Sequence, residues 1–235
     1  MYDPRGLTGS APRTIWMTMI QPQIHFLGDS ALLCNLPSPA TLPHQRRIWS
    51  IAEQAAGWPE VSEVVPGMNN LTLILSRPVV DMDAVSQRIL ALWPQVDASH
   101  VAGREIDIPV AYGGKDGPDL DIVARHTGLS TKEVIQRHSD ADYVVYFIGF
   151  MPGFAYMGGL DPALATPRQD EPRLSIPAGS VGIGGEQTGI YPLASPGGWQ
   201  LIGRTALPLF DPNRTPPTLL RPGDRVRFTV ERIAK

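Results

Sequence analysis

The 235-residue sequence has a single cysteine, Cys34, and one thiol makes neither an internal disulfide nor a cysteine metal cluster. That usage points to a cytoplasmic protein. No apolar run approaches the ~18 residues of a membrane span. The N-terminus, with Pro4 and Pro12 and no apolar signal core, reads as a loose leader over 1–20. Positive charge is also scarce. The formal net charge is −3, which argues against a nucleic-acid or anionic-membrane binder, since both need a cationic face. There are 17 arginines but only 3 lysines, and none of the lysines lies between 133 and 234. No histidine follows His138. Schiff-base chemistry and a Ser-His dyad are therefore excluded from within the glycine- and proline-rich stretch of 149–223.

Glycine and proline are abundant but unevenly spread: 25 of the 47 fall between 149 and 223. Aromatic residues interrupt that stretch in non-repeating order, so it reads as turn-rich β structure rather than disorder. Upstream, QIHFLGDSALLCNL (23–36) suggests two strands around a Gly28-Asp29 turn. Ile48, Ile51, Ala52 and Ala55 recur at helical spacing and predict a helix over 43–57. Strands are expected at 61–65 and 71–76 around Pro66-Gly67, and a second helix at 81–93 capped by Asp81. Together these predict an α+β sandwich over 21–95, with a linker from Pro94 to Gly103. A strand at 104–112, helices at 119–127 and 131–138, a buried strand at 142–150 and a last strand at 225–230 follow. Ser130 and Glu133 have capping-box spacing. With many short strands between, residues 104–235 are expected to form a β-barrel.

Several motifs are decoys. Residues 119–139 resemble a helix-turn-helix, but their charges (Lys115, Arg125, Lys132 and Arg137 against Asp116, Asp119, Asp121, Glu133 and Asp140) sum to −1, the wrong sign for facing phosphates. Gly113-Gly114-Lys115 lacks the rest of a P-loop, and Gly179 to Gly185 fits neither a nucleophile elbow nor a dinucleotide loop. The five histidines show no zinc-ligand spacing, and no metal site is expected.

What remains is one dense run. It comprises GFMPGFAYMGGL (149–160), Pro167-Arg168, Pro172-Arg173, IPAGSVG (176–182), QTGIYP (187–192), SPGGW (195–199), IGRT (202–205) and LFDP (209–212). This run, with LGDSALL (27–33) and VVPGMNNLTL (64–73), resembles the KipI-like family. That family is also described as the B-type subunits of 5-oxoprolinase and, in older usage, as allophanate hydrolase subunit 1. The resemblance implies an N-terminal ferredoxin-like α+β domain and a C-terminal cyclophilin-like β-barrel. It implies a component of an ATP-dependent hydrolase that opens the 5-oxoproline lactam to glutamate, inactive alone. Its partners would be a second barrel-containing subunit of the 5-oxoprolinase C type and a third of the A type. ATP, with Mg, is expected in the assembled complex; no biotin is expected on this chain. The alternatives are a KipI-type inhibitor of a sensor histidine kinase and a subunit of a urea or allophanate-pathway hydrolase.

The run itself is consistent with an anionic ligand. Arg168, Arg173 and Arg204 are fixed forks suited to carboxylate or phosphate. Glycines at 179–185 and 197–198 could form anion nests or only tight turns. Phe150, Phe154, Tyr156, Tyr191 and Trp199 could wall a small-molecule cleft, or form barrel core or interface. The three arginines and five aromatic residues, with Pro152 and Gln187, make up the candidate substrate-binding set; the catalytic residues are unknown. Arg204, set between apolar residues, is expected to point into the same mouth as Tyr191, whereas Arg214 is expected on a solvated loop.

Overall fold

The computed structural model describes residues 20–76, 81–96 and 103–234. Residues 1–19 of the leader expected over 1–20, and most of the expected linker, lie outside these residues. The first part comprises β1 (Gln23–Leu27), β2 (Ala31–Asn35), α1 (Leu42–Ala55), β3 (Val61–Gly67), β4 (Asn70–Leu75) and α2 (Met82–Leu92). The strands form one antiparallel sheet in the order β1-β2-β4-β3. Pro43 occupies the first turn of α1, where a missing amide proton costs nothing. The Thr41 hydroxyl accepts from the His44 amide, and the Asp81 carboxylate from the Ala84 amide at 3.1 Å. The stripes of Ile48, Ile51 and Ala55 and of Val85 and Ile89 then bury against Leu32, Leu71 and Leu73. Each such side chain contributes about 1.5–3 kcal/mol on leaving water.

One expected turn is displaced. Pro66 and Gly67 lie within β3, and the chain reverses at Met68-Asn69 instead. Asn69 takes the left-handed conformation (φ 60°), which asparagine tolerates better than most residues. Its amide donates to the Leu36 and Pro37 carbonyls, both at 2.8 Å, which fixes the reversal there.

The second part contains β5 (Glu105–Tyr112), α3 (Leu120–Thr127), α4 (Thr131–Asp140), β6 (Tyr143–Ile148), β7 (Ala155–Gly158), β8 (Arg173–Ile176), β9 (Ser180–Gly184), β10 (Gln187–Ile190), β11 (Ser195–Gly197), β12 (Gln200–Arg204) and β13 (Arg225–Ile233). Seven strands close a barrel in the order β10-β7-β6-β13-β5-β12-β9, while β8 and β11 pair separately. The class is α+β. The helix pair is no DNA reader: Leu120, Val123, Val134 and Ile135 are buried, and the helices pack on β12 and β13. The Ser130–Glu133 capping box is formed.

His138 lies wholly buried in the barrel core. The Thr188 hydroxyl donates to the Gly182 carbonyl, so its oxygen accepts from His138 Nε2 at 3.0 Å. Nδ1 is left to accept from the Tyr112 hydroxyl at 2.8 Å. Burial holds this imidazole neutral, its pKa pushed down to about 3.

The two parts are joined at the Tyr146 carbonyl, beside the edge-on packing of the Trp49 and Tyr146 rings. The Trp49 indole (2.8 Å) and the Gln45 amide (3.3 Å) both donate to the Tyr146 carbonyl, at a bulge in β6. Gln45 also donates to the Gly67 carbonyl and accepts from the Asn69 amide, both at 3.0 Å. The displaced turn is therefore part of the joint.

Candidate functional site

Beyond β6 the chain makes a tight turn, with the Gly149 amide donating to the Phe154 carbonyl at 3.1 Å. Phe150 sits inside this turn at φ 65°, a conformation that is an outlier for a bulky residue. The turn leaves its ring 63% exposed and edge-on to Phe154, 5.5 Å between centroids. Phe154 is the hub of an aromatic cluster. Tyr191 (5.3 Å), Trp199 (5.5 Å) and Tyr156 (4.9 Å) surround it, and Tyr156 stacks flat on Phe147.

Two glycines permit this packing. A Cβ on Gly184 would lie 2.5 Å from the Trp199 indole nitrogen, and one on Gly197 would lie 2.5 Å from the Tyr191 hydroxyl. These glycines therefore bring backbone against the aromatic walls, a role the composition alone did not separate from anion nests.

The cluster walls a partly open cavity of about 230 Å³ lined by Phe150, Phe154, Tyr156, Tyr191 and Trp199, with Arg168, Pro172, Pro196, Gly197 and Gly198. The five aromatic residues singled out in the sequence are thus brought together. Tyr156 and Tyr191 hold their protons: burial raises both pKa values, and the nearby Arg168 charge offsets this only in part. At neutral pH both remain neutral phenols.

A second, larger hollow of about 870 Å³ runs between the two parts. Ser38, Pro39 and Met68 line one side, and Gly158, Gly185 and Gln187 the other. Arg168 lines both hollows.

The remaining candidates are placed differently. Gln187 lies on the larger hollow and not in the aromatic cavity. Pro152 is exposed on the turn and lines neither. Arg173 is committed to Asp119 through two bonds of 2.8 and 2.7 Å, so its fork is not offered to a ligand. The expectation for Arg204 needs correction. It ends β12 with an exposed side chain whose Nε donates to the Ala178 carbonyl at 2.8 Å, and it lines neither hollow. It is the exposed end of a strand whose other residues, Gln200 to Gly203, are all buried, and a bulge at Leu201/Gly203 shifts the register just before it. Arg214 is on an exposed loop, as expected.

Asp119 was missed. Its carboxylate is 2% exposed and accepts from Arg173, from the Leu201 amide at 2.7 Å and from Gln169 Nε2 at 3.2 Å. In the sequence it counted only as one acidic residue before a helix. Its partners lie 50 to 82 residues away, and no local pattern marks them.

Residues 22–220 match the family model for the carboxyltransferase domain, subdomain C and D. The chain is 52% identical to the 5-oxoprolinase B subunit of Escherichia coli O157:H7 over 91% of its own length and 98% of that protein. It is 50% identical to the 5-oxoprolinase B subunit of Haemophilus influenzae, covering 88% of this chain and 97% of the relative. The solved structure of TTHA0988 superposes with a TM-score of 0.72 at 37% identity; the match covers 87% of this chain and 40% of that one.

Proposed function

Because this chain belongs to the carboxyltransferase-domain family, subdomains C and D, and to its branch of 5-oxoprolinase B-type subunits, we propose that it serves as one component of an ATP-driven enzyme opening the 5-oxoproline lactam to glutamate. The observation that carries this reading is 52% identity across 98% of a protein of that name. The partners in this reading are a second barrel-containing subunit of the C type and a third of the A type. We read the N-terminal part as ferredoxin-like, bounded at 21–95, and the barrel over 104–235 as cyclophilin-like. Separate apolar cores on either side of the Tyr146 joint support that division. The lone cysteine, Cys34, is buried and unpaired, which fits a cytoplasmic location. No helix among the described residues is long and apolar enough to cross a membrane.

We assign the aromatic cavity as the seat of the lactam ring. Its volume suits a small cyclic molecule, and its aromatic walls offer apolar faces for the ring to pack on. The neutral Tyr156 and Tyr191 phenols line the same space and can donate to a lactam oxygen.

ATP supplies a phosphoryl group able to activate an otherwise inert amide. This chain's residues do not fit a complete site for it. The larger hollow offers one arginine against Glu186 and no lysine. Among the described residues no group of three His, Cys, Asp or Glu could hold a metal. In this reading the partner subunits complete that site.

The test follows labelled 5-oxoproline to glutamate in an extract from which this chain has been deleted. Conversion should be absent and should return when the purified chain is added. Unchanged conversion in the deleted extract would refute the assignment.

A further inference from the structure

Two of the three arginines in the glycine-rich run are engaged: Arg173 by the Asp119 carboxylate, and Arg204 by the Ala178 carbonyl. Arg168 is not. Among the described residues no carboxylate or carbonyl accepts from its guanidinium, which lies 5.8 Å from the centroid of the Trp199 ring. Its charge reaches the cavity, since it favours ionisation of both Tyr156 and Tyr191.

The backbone beneath it is fixed. Thr166 and Gly185 exchange backbone bonds of 3.2 and 2.8 Å, and the Gln169 amide donates to the Gly198 carbonyl at 2.7 Å. The side chains of Gln169 and Arg173 both converge on the buried Asp119 carboxylate. The segment 166–173 is thus a strap, tied down on both sides of Arg168. Arg168 is exposed like an ordinary surface arginine, but it stands at the rim of the aromatic cavity on a clamped strap, and among the described residues no carboxylate is ion-paired with it, Glu186 sharing only the larger hollow. A planar fork in that position suits a carboxylate carried by a small ring whose faces lie against the aromatic walls.

We propose that Arg168 is the specificity-determining residue that binds the carboxylate of the cyclic acid. Asp119 is a positioning residue, acting through Gln169 and Arg173 to hold the strap. The identity of the acid as 5-oxoproline rests on the proposed function above.

The test is equilibrium dialysis of the assembled enzyme, without nucleotide, against labelled 5-oxoproline and against its carboxamide, which has the same ring and no charge. Arg168→Ala should weaken binding of the acid roughly 10- to 100-fold, the range for a lost charge-assisted contact. It should change binding of the carboxamide less than about threefold, because the ring contacts remain. Arg168→Lys should recover only part of the loss. Asp119→Asn should show the same preference for the acid, to a smaller degree; equal losses for acid and carboxamide would make Asp119 merely structural. Arg214→Ala, on its exposed loop, should bind both as the wild type does. The assignment of Arg168 is overturned if acid binding is unchanged in Arg168→Ala, if both ligands weaken together, or if ATP binding falls instead. If the wild-type assembly binds neither lactam but retains another small carboxylate such as proline in an Arg168-dependent way, the 5-oxoprolinase reading fails and Arg168 stands. If it binds no small carboxylate at all, both fail.

Discussion

Replacing Arg173 by methionine keeps most of its bulk and removes its charge, which isolates the worth of its link to Asp119. The Asp119 carboxylate is 2% exposed and the Arg173 side chain 31%. In the variant the carboxylate keeps the Leu201 amide and Gln169 but loses both guanidinium bonds. Stranding one partner of a buried pair costs about 3–5 kcal/mol. The two surviving bonds and the partial exposure of Arg173 place this case at or below the lower end, about 2–3 kcal/mol. For a chain of this size each kcal/mol lowers Tm by about 2–4 °C, so the expected drop is about 4–12 °C. Arg204→Met is the comparator: it loses one bond from an exposed side chain and should cost under about 1 kcal/mol. The double variant Asp119→Asn with Arg173→Met should regain part of the loss, because no uncompensated charge stays buried. Thermal melts and urea midpoints measure all three. An Arg173→Met variant within 1 kcal/mol of wild type, or a double variant no more stable than Arg173→Met, would refute the reasoning.

Three further outcomes are expected. His138 has its pKa depressed to about 3 in the folded state, so the unfolded chain binds the extra proton first as pH falls; its contribution is complete above about pH 6.5 and is lost toward pH 3. Stability measured against pH should therefore decline over that window, and His138→Gln, though less stable overall, should show a shallower decline. Gly184→Ala drives a methyl into Trp199, whereas Gly128→Ala, at the end of α3, meets open space at φ +71°. Both should cost about 1–3 kcal/mol in melts, but only Gly184→Ala should weaken acid binding in dialysis. Burial pushes the Cys34 thiol up to about 12, so a thiol reagent at pH 8 should modify it only as the protein unfolds, and rapid modification of the native chain would contradict its placement.

Local signals carried much of the fold. Helical spacing located α1 and α2, the Asp81 and Ser130 caps formed, and the Gly28 reversal joins β1 to β2. Pro66-Gly67 misled because the true reversal depends on Asn69 reaching back to Leu36 and Pro37, a contact that exists only once β2 lies beside β4. The aromatic walls of the cavity were legible because such residues are dense in a stretch of turns. The arginines were not separable by type. Whether a guanidinium faces Asp119, a carbonyl or an open cavity is decided by strand register and by partners far away in the chain, neither of which the run of glycines and prolines displays. Simple alternation along β12 would bury Arg204 with Gln200 and Ile202; a bulge at Leu201/Gly203 shifts the register before it, and nothing in LIGRT marks that bulge.

The most direct test of the account is 5-oxoproline-dependent phosphate release measured three ways: with this chain alone, with the C-type and A-type subunits alone, and with all three together. The account predicts no release from this chain, none from the partners without it, and turnover only in the complete mixture. Substrate-dependent release from this chain alone, or full turnover by the partners without it, would contradict the claim that it is an indispensable subunit of the enzyme.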